Sequence, residues 1–256
     1  MARRDDNTQA RLDRDLAELK LPEIAKSYRE VLDEAARKGS SMLEVLATLI
    51  GLEQTARQQR ALQRRLCQAR LPTPKTLAEY DFNFPKRMPK AAILRLFDCD
   101  LIQRHGCAVL IGPTGTGKSH LLTALGYTAC ERGYSLRYTR VVDMINHLTT
   151  AQINGLLGKA LKVYVRPTLL LVDELGYLPI DKRGADLLFQ VVAARYESGS
   201  IVLTTNRTFR EWGALFDVDN TLATALIDRL MHHGEAIVIQ GDSYRMRDKD
   251  SDPPSA

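Results

Sequence analysis

A glycine-rich stretch of eight residues constrains this 256-residue chain more than any other part of its sequence. Gly112-Pro-Thr-Gly-Thr-Gly-Lys-Ser119 matches the P-loop pattern G-x-x-x-x-G-K-[ST] at every fixed position. It follows the apolar run Cys107–Ile111 and precedes a helical pattern from His120 to Cys130. The glycines let backbone N–H groups turn inward around phosphate oxygens, and the helix adds its positive N-terminal end. The stretch therefore predicts a nucleoside triphosphate site rather than a chance glycine-rich turn.

The loop assigns a role to each of its last two residues. Lys118 is expected to reach the β- and γ-phosphates, and the Ser119 hydroxyl is expected to bind Mg²⁺. The helix that follows begins with His120, which has no second histidine at ligand spacing and is not predicted to bind a metal. The predicted ATP-binding residues of the loop are Gly112, Pro113, Thr114, Gly115, Thr116, Gly117, Lys118, Ser119 and His120.

From about residue 91, apolar runs of strand length alternate with helical patterns. The runs are continuous, as in strands that are covered on both faces, so we expect a mostly parallel five-stranded sheet in an α/β domain. The predicted strands are Ala108–Ile111, Ser135–Thr139, Thr168–Val172, Ile201–Thr205 and Ala236–Ile239. The predicted helices cover residues 118–131, 141–162, 183–197 and 221–232.

Polar residues end two of these predicted strands. Asp173 follows a buried run, at the edge where α/β sheets bind ligands, and is predicted to hold Mg²⁺. Glu174 is predicted to orient and deprotonate the attacking water, although two carboxylates that merely cap the strand are the alternative. Asn206 faces the γ-phosphate if its strand lies beside that of Asp173; otherwise it only begins the next turn.

The first third of the chain is predicted to be helical and basic. Residues 1–90 hold 18 of the 36 basic but only 13 of the 31 acidic residues, and none of the acidic ones lies between Glu53 and Glu79. Ser41 and Glu44 form a capping-box pattern that opens a long helix through about residue 69. Helical spacing places a basic stripe on this helix, which we interpret as a surface for the phosphate backbone of DNA. The stripe consists of Arg57, Arg60, Arg64 and Arg65.

These patterns divide the chain into a helical N-terminal domain over 1–70, a proline-rich linker over 71–90, a nucleotide-binding domain over 91–246 and a disordered tail over 247–256. Aromatic residues of the linker, from Tyr80 to Phe84, are expected to pack on the domain that follows. The four cysteines form no C-x-x-C pair, and no apolar run is long enough to span a bilayer. The N-terminus also lacks the apolar stretch of a secretory signal, so we expect a cytoplasmic protein without a membrane partner.

The order of P-loop, Asp-Glu strand and polar-ended strand resembles that of AAA+ ATPases. More narrowly, roughly residues 10–246 resemble the IstB family, ATP-binding helpers of insertion-sequence transposition that are related to the helicase loader DnaC and the initiator DnaA. The resemblance is carried by Leu19-Lys-Leu-Pro22, Ala69-Arg-Leu-Pro72, Tyr80-Asp-Phe82, Gly117-Lys-Ser-His-Leu121, Val172-Asp-Glu-Leu-Gly-Tyr177, Phe189-Gln190, Arg195-Tyr-Glu197, Thr205-Asn206, Trp212, Asp228-Arg-Leu230 and Ser243-Tyr-Arg245.

This resemblance implies further roles for single residues. Asn206 matches the sensor residue of the family, and Arg229 matches the arginine finger that enters a neighbouring subunit's ATP site. The alternative for Arg229 is a surface charge or a pair with Asp228. Arg245 matches a lid-type arginine that contacts nucleotide in its own subunit, yet only eleven residues follow it, too few for a full helical lid domain.

The resemblance implies a homo-oligomer that uses ATP and Mg²⁺, binds double-stranded DNA with little sequence specificity, and recruits or stimulates a transposase. We expect Lys159, Lys162 and Arg166 to add to its DNA surface. In an alternative reading, the N-terminal helices bind the transposase and the basic stripe is a protein interface. A DnaC-like helicase loader is the alternative function. A P-loop kinase of small metabolites is a third reading, which Glu174 and Asn206 disfavour because a kinase has less need of a positioned water.

Overall fold

The computed structural model describes residues 2–84, 87–216 and 220–244. By its internal contacts the chain divides into two compact units, Met1–Arg64 and Arg65–Ala256. The sequence placed this boundary at residue 70 instead. It falls earlier because the end of the third helix and the linker pack within the second unit, where Ala69 is fully buried and Leu71 approaches Gly126. The predicted tail over 247–256 lies outside the described residues.

The first unit is built from helices. They are α1 (Ala2–Glu18), α2 (Pro22–Lys38) and α3 (Met42–Ala69), the last of which runs past the unit boundary. Leu16, Tyr28 and Leu49 form the buried core between the three helices. The predicted capping box is present at the start of α3, where the Ser41 N–H donates to Glu44 Oε2 over 2.7 Å and the Glu44 N–H donates to Ser41 Oγ over 3.3 Å.

The second unit alternates strands and helices as the sequence predicted. Its strands are β1 (Cys107–Ile111), β2 (Leu136–Arg140), β3 (Leu169–Leu175), β4 (Ser200–Thr205) and β5 (Gly234–Val238). Its helices are α4 (Lys90–Phe97), α5 (Asp100–Gln103), α6 (Lys118–Glu131), α7 (Val141–Ile153), α8 (Leu157–Val165), α9 (Lys182–Arg195), α10 (Trp212–Leu215) and α11 (Asn220–Met231), with a 3₁₀ turn at Phe209–Glu211.

The five strands form one sheet in the order β2-β3-β4-β1-β5, and every pair is parallel. All their carboxyl ends therefore lie at one edge of the sheet. Sequence-distant strands are neighbours there, since β1 lies between β4 and β5 and β3 lies beside β4. Such an order puts the loops after β1, β3 and β4 next to each other, where open α/β sheets bind ligands.

The predicted helix over 141–162 is wrong in one respect, because the structure divides it into α7 and α8. The break falls at Asn154 and Gly155, and Gly155 has a left-handed φ of 71° that a continuing helix does not allow. Among the described residues after β5, 239–244 contain no α-helix. Nor does any helix in the described ranges have the length and apolar character needed to cross a membrane.

The buried guanidinium of Arg195 holds the start of the sheet together. It lies at the end of α9 and is 1% exposed. Its Nη1 and Nη2 atoms donate to five backbone carbonyls at 2.7–3.0 Å. These carbonyls are those of Tyr164, Val165, Pro167, Thr168 and Ser200. One side chain therefore ties the end of α8 and the approach to β3 to the first residue of β4.

Candidate nucleotide site

The glycine-rich loop connects β1 directly to the N-terminus of α6. Gly117 precedes the first residue of the helix with a φ of 83°, a left-handed conformation in which a side chain is strained. At Gly112 a Cβ atom would lie 2.3 Å from the carbonyl oxygen of Ile239, so the backbone passes too close for any other residue. The loop therefore has the backbone geometry that the P-loop pattern predicts, with the N-terminal end of α6 facing it.

Lys118 is held inside this loop. Its side chain is 4% exposed, and its Nζ donates to the carbonyl oxygens of Gly112 and Pro113, both over 2.7 Å. A buried ammonium needs partners of opposite polarity, and here loop carbonyls serve as two of them. Phosphate oxygens are stronger acceptors for an ammonium than carbonyls because they carry charge.

The two predicted Mg²⁺ ligands meet at the edge of the sheet. Ser119 Oγ, on the first turn of α6, donates to Asp173 Oδ1 over 3.0 Å. Asp173 lies in β3 and is 2% exposed. The same carboxylate oxygen accepts from the Thr204 hydroxyl on the neighbouring β4. Hydroxyl and carboxylate oxygens are hard ligands of the kind that Mg²⁺ takes, so the side chains present fit this ion.

Glu174 departs from the regular strand. It has a left-handed φ of 66°, and the pairing of β3 with β4 shifts between Val172 and Leu175. Its N–H donates to Thr204 Oγ1 over 3.0 Å, a side-chain bond outside the regular ladder. A non-glycine residue in this conformation is strained by about 1–3 kcal/mol, and such strain is concentrated at functional sites. The Glu174 carboxylate lines the same cavity as Ser119 and Lys118.

Asn206 follows β4 and has a buried oxygen. Within the described part of the chain, its Oδ1 accepts no hydrogen bond. A Cβ atom at Gly176 would lie 2.9 Å from this oxygen, so the glycine after β3 leaves room for the amide. The sequence left open whether the Asn206 strand lies beside the Asp173 strand, and in the structure β3 and β4 are adjacent. Asn206 is not among the residues that line the cavity beside Glu174.

The linker closes one side of the site, as its aromatic residues suggested. A cavity of about 270 Å³ lies between the loop and residues 75–84. Tyr80 OH donates to the Thr116 carbonyl over 3.0 Å, and His120 Nε2 lies 2.9 Å from the Thr76 carbonyl. Burial, and to a lesser degree the charge of Asp81, raises the pKa of Tyr80 to about 12, so its hydroxyl remains a donor. The role of this contact could not be read from the sequence, which gave only the run of aromatics.

Arg229 lies away from this cavity. It lines a second, smaller cavity with Cys107 and Ile201, which belong to the amino ends of β1 and β4. Its guanidinium lies 4.6 Å from the ring centroid of Phe189 on α9, and Nη1 donates to the Ala225 carbonyl over 3.1 Å. No ion pair with Asp228 occurs among the described residues. The amino ends of the strands are opposite to the P-loop, so the geometry does not bring Arg229 to the loop of its own chain.

The predicted DNA-binding arginines of α3 differ in their surroundings. Arg57 and Arg60 both pair with Glu53 Oε1, at 3.2 and 2.9 Å. Glu53 is 3% exposed and its other oxygen accepts the N–H of Glu23 over 2.8 Å at the start of α2. The charges of these two arginines are therefore balanced by a buried carboxylate. Glu53 lies directly before the stretch that lacks acidic residues. Arg64 is exposed.

The remaining predicted residues lie in the second unit or outside the described residues. Arg65 belongs to the second unit, where its Nε donates to the Cys130 carbonyl over 2.8 Å. Lys159 and Lys162 are exposed on α8, and Arg166 is exposed directly after it. Arg245 lies outside the described residues.

A parallel five-stranded sheet in this order, with a P-loop after β1 and an Asp-Glu pair at the end of β3, defines a P-loop nucleotide-binding protein of the AAA+ class. A family model described as IstB-like ATP binding protein matches residues 14–252. The chain belongs to this family.

Individual relatives agree with this assignment. An ATP-binding protein of insertion sequence IS5376 from Geobacillus stearothermophilus is 38% identical over 231 residues, which is 90% of this chain and 92% of that protein. The insertion sequence IS21 ATP-binding protein of Pseudomonas aeruginosa is 36% identical over 234 residues, covering 91% of this chain and 88% of the relative. The solved structure of AMPPCP-bound DnaA from Aquifex aeolicus shares the fold, with a TM-score of 0.57 and 23% identity over 70% of this chain and 54% of that one.

Proposed function

We propose that this protein is a Mg²⁺-dependent ATPase that assembles on double-stranded DNA and acts as a transposition helper. In this role it prepares target DNA and recruits or stimulates a transposase. The observation that carries the ATPase part is the meeting of Lys118, Ser119, Asp173 and Glu174 at one edge of the sheet. Relatives named for insertion sequences favour transposition over the loading of a helicase.

The chemistry follows from the side chains at this edge. Bound Mg²⁺ neutralises phosphate charge, and Ser119 and Asp173 are the residues that would hold it. Lys118 exchanges its loop carbonyls for phosphate oxygens. The Glu174 carboxylate accepts a proton from a water molecule, and Asn206, which follows the strand beside that of Asp173, would orient that water once its side chain turns toward the cavity. Because Glu174 can deprotonate water, water rather than a substrate hydroxyl is the preferred acceptor of the γ-phosphoryl group.

The position of Arg229 supports the proposed assembly. The loop of one copy is at the carboxyl edge of the sheet, and Arg229 is near the amino edge. A contact between these two unlike surfaces is heterologous, and repetition of it gives a ring or a helical filament. The arginine would then stabilise charge that develops on the γ-phosphate of the adjacent copy, which ties hydrolysis to assembly.

The proposed function is tested by following assembly on DNA. With ATP and Mg²⁺, we expect the protein to form regular oligomers on double-stranded DNA in negative-stain electron micrographs. Lys118→Ala removes a charged partner of the phosphates, so we expect nucleotide affinity to fall about 10- to 100-fold and the oligomers to be lost at the same nucleotide concentration. Fluorescent ATP binding and micrographs measure the two effects.

Lys26→Ala is the control for this experiment because it removes an exposed lysine of the first unit. It should leave nucleotide affinity unchanged. A wild-type protein that stays monomeric with ATP and DNA would refute the assembly model, and one that retains no nucleotide would refute the ATPase as well.

The basic stripe is best tested at Arg64. Changes at Arg57 or Arg60 also unpair the buried Glu53 carboxylate, so a loss of DNA binding there would have two causes. Arg64→Ala leaves that network intact. If this arginine contacts phosphate, DNA affinity should fall about 3- to 10-fold on DNA of any sequence, and the salt dependence should decrease by about one counterion. Fluorescence anisotropy at several salt concentrations measures both.

Arg37→Ala, an exposed arginine in the last turn of α2, is the matched control and should bind DNA as the wild type does. If Arg64→Ala leaves the DNA affinity and the salt slope unchanged, DNA does not bind to this face of α3. The stripe would then be assigned to the transposase, which pull-down with the purified partner would test directly.

A further inference from the structure

We propose that Tyr138 is a positioning residue of the Mg²⁺ site, through its hydrogen bond to the Asp173 carboxylate. This inference rests on the proposed ATPase function. It adds a residue of the edge strand β2, which carries no part of the P-loop or of the Asp-Glu pair. Tyr138 OH donates to Asp173 Oδ2 over 2.8 Å.

The bond completes the set of donors around Asp173. Its Oδ1 accepts from Ser119 Oγ over 3.0 Å, from the Glu174 N–H over 3.1 Å, and from the Thr204 hydroxyl. All three donors form hydrogen bonds to the same oxygen, Oδ1. The Tyr138 hydroxyl is therefore the contact that fixes the second oxygen and, with it, the rotation of the carboxylate plane about the side-chain axis.

The position of Tyr138 in the sheet explains this geometry. β2 pairs in parallel with β3, and Tyr138 lies opposite Leu171, two residues before Asp173. A phenol has an ordinary pKa of about 10, so the Tyr138 hydroxyl carries its proton at neutral pH and donates it to the carboxylate. A neutral donor fixes the orientation of the carboxylate without cancelling its negative charge. Mg²⁺ needs that charge in a ligand.

A fixed carboxylate matters for this particular ion. Mg²⁺ requires near-ideal octahedral geometry and keeps several of its waters. The affinity for the ion therefore falls when a carboxylate that binds it, or that accepts hydrogen bonds from its waters, rotates away. Partners that orient a ligating carboxylate are typically worth about 10- to 100-fold in metal affinity or activity. Loss of the hydroxyl should therefore weaken the response to Mg²⁺ and leave the contacts of the P-loop with phosphate unchanged.

Tyr138→Phe tests the inference because it deletes the hydroxyl and keeps the ring. The readout is the affinity for a fluorescent ATP analogue, measured first in EDTA and then over a Mg²⁺ titration. We expect the affinity in EDTA to match the wild type and the Mg²⁺ concentration at half-maximal response to rise about tenfold. Tyr164→Phe is the matched control, since that buried hydroxyl pairs with His147 Nδ1 at 2.8 Å, and its Mg²⁺ response should not change.

A double-mutant cycle gives a second reading of the same inference. If Tyr138 acts through Asp173, Tyr138→Phe adds no further loss of Mg²⁺ response in an Asp173→Asn background, because contacting residues are not additive. An additive loss in the cycle, an equal loss of affinity with and without Mg²⁺, or an unchanged Mg²⁺ response would each overturn the positioning role. A wild-type protein that binds no nucleotide would instead overturn the proposed function, and the inference with it.

Discussion

Replacing Glu174 by Gln should lower the rate of ATP hydrolysis by about 100- to 10,000-fold, which is the range that a positioned general base contributes. The change keeps the size of the side chain and removes its ability to take a proton from water. Nucleotide affinity should stay within about twofold of the wild type, because Lys118 and Ser119 are untouched. Release of phosphate from ATP measures the first effect, and binding of a fluorescent analogue measures the second.

The same variant should stay on DNA longer. If hydrolysis is the step that releases the assembly, then a protein that binds ATP without hydrolysing it accumulates in the assembled form. Oligomers of Glu174→Gln on DNA should therefore persist after free nucleotide is removed, while those of the wild type disperse. Electron micrographs taken at intervals after the removal of nucleotide would show the difference.

Glu79→Gln is the control for Glu174→Gln. Glu79 also lines the cavity, but its carboxylate accepts the N–H of Thr76 over 3.1 Å and has a structural partner within the linker. Loss of this charge should leave hydrolysis close to the wild-type rate. Should Glu174→Gln retain more than a tenth of the wild-type rate, Glu174 would not be the general base.

The sheet and its loops were predictable because continuous apolar runs have few alternatives. Each of the five predicted strands overlaps an observed one, and the P-loop is where its pattern puts it. Buried parallel strands repeat the same physical requirement at every residue, so small errors at their ends do not change the fold. The helix break at Gly155 was missed because its neighbours on both sides keep the helical apolar period.

Contacts between residues far apart in the chain were not predictable. Tyr138 and Asp173 are 35 positions apart, and nothing in the pattern of β2 indicates which side chain will face the site. The pairing of Arg57 and Arg60 with Glu53 is different, because these residues are only four and seven positions apart on one helix. The stripe has no acidic residue within it, but its counterion is Glu53, one helical turn before Arg57 and directly before the acid-free stretch, and this carboxylate also caps α2.

Replacing Arg229 by Ala should lower ATP hydrolysis by about 1,000-fold, the lower end of what an arginine finger contributes, without loss of nucleotide binding. The geometry gives the reason. Arg229 is held over Phe189 near the amino ends of the strands, and the P-loop is at their carboxyl ends. An arginine in that place lies at the edge opposite to the loop of its own chain, so we expect its effect on hydrolysis to pass through a second copy.

Mixing two inactive variants tests this directly. Arg229→Ala keeps an intact P-loop and Glu174, and Glu174→Gln keeps an intact Arg229 and should still bind nucleotide and assemble. When the two are combined with DNA and ATP, the arginine of the second can complete the site of the first, and hydrolysis should recover at about a quarter of the interfaces in an equal mixture. A mixture as inactive as its components at every ratio would mean that Arg229 is not supplied across an interface, and that its loss acts through the packing over Phe189 instead. The proposal that a second copy completes the site would then lose its support, because it rests on Arg229 at the edge opposite to the P-loop.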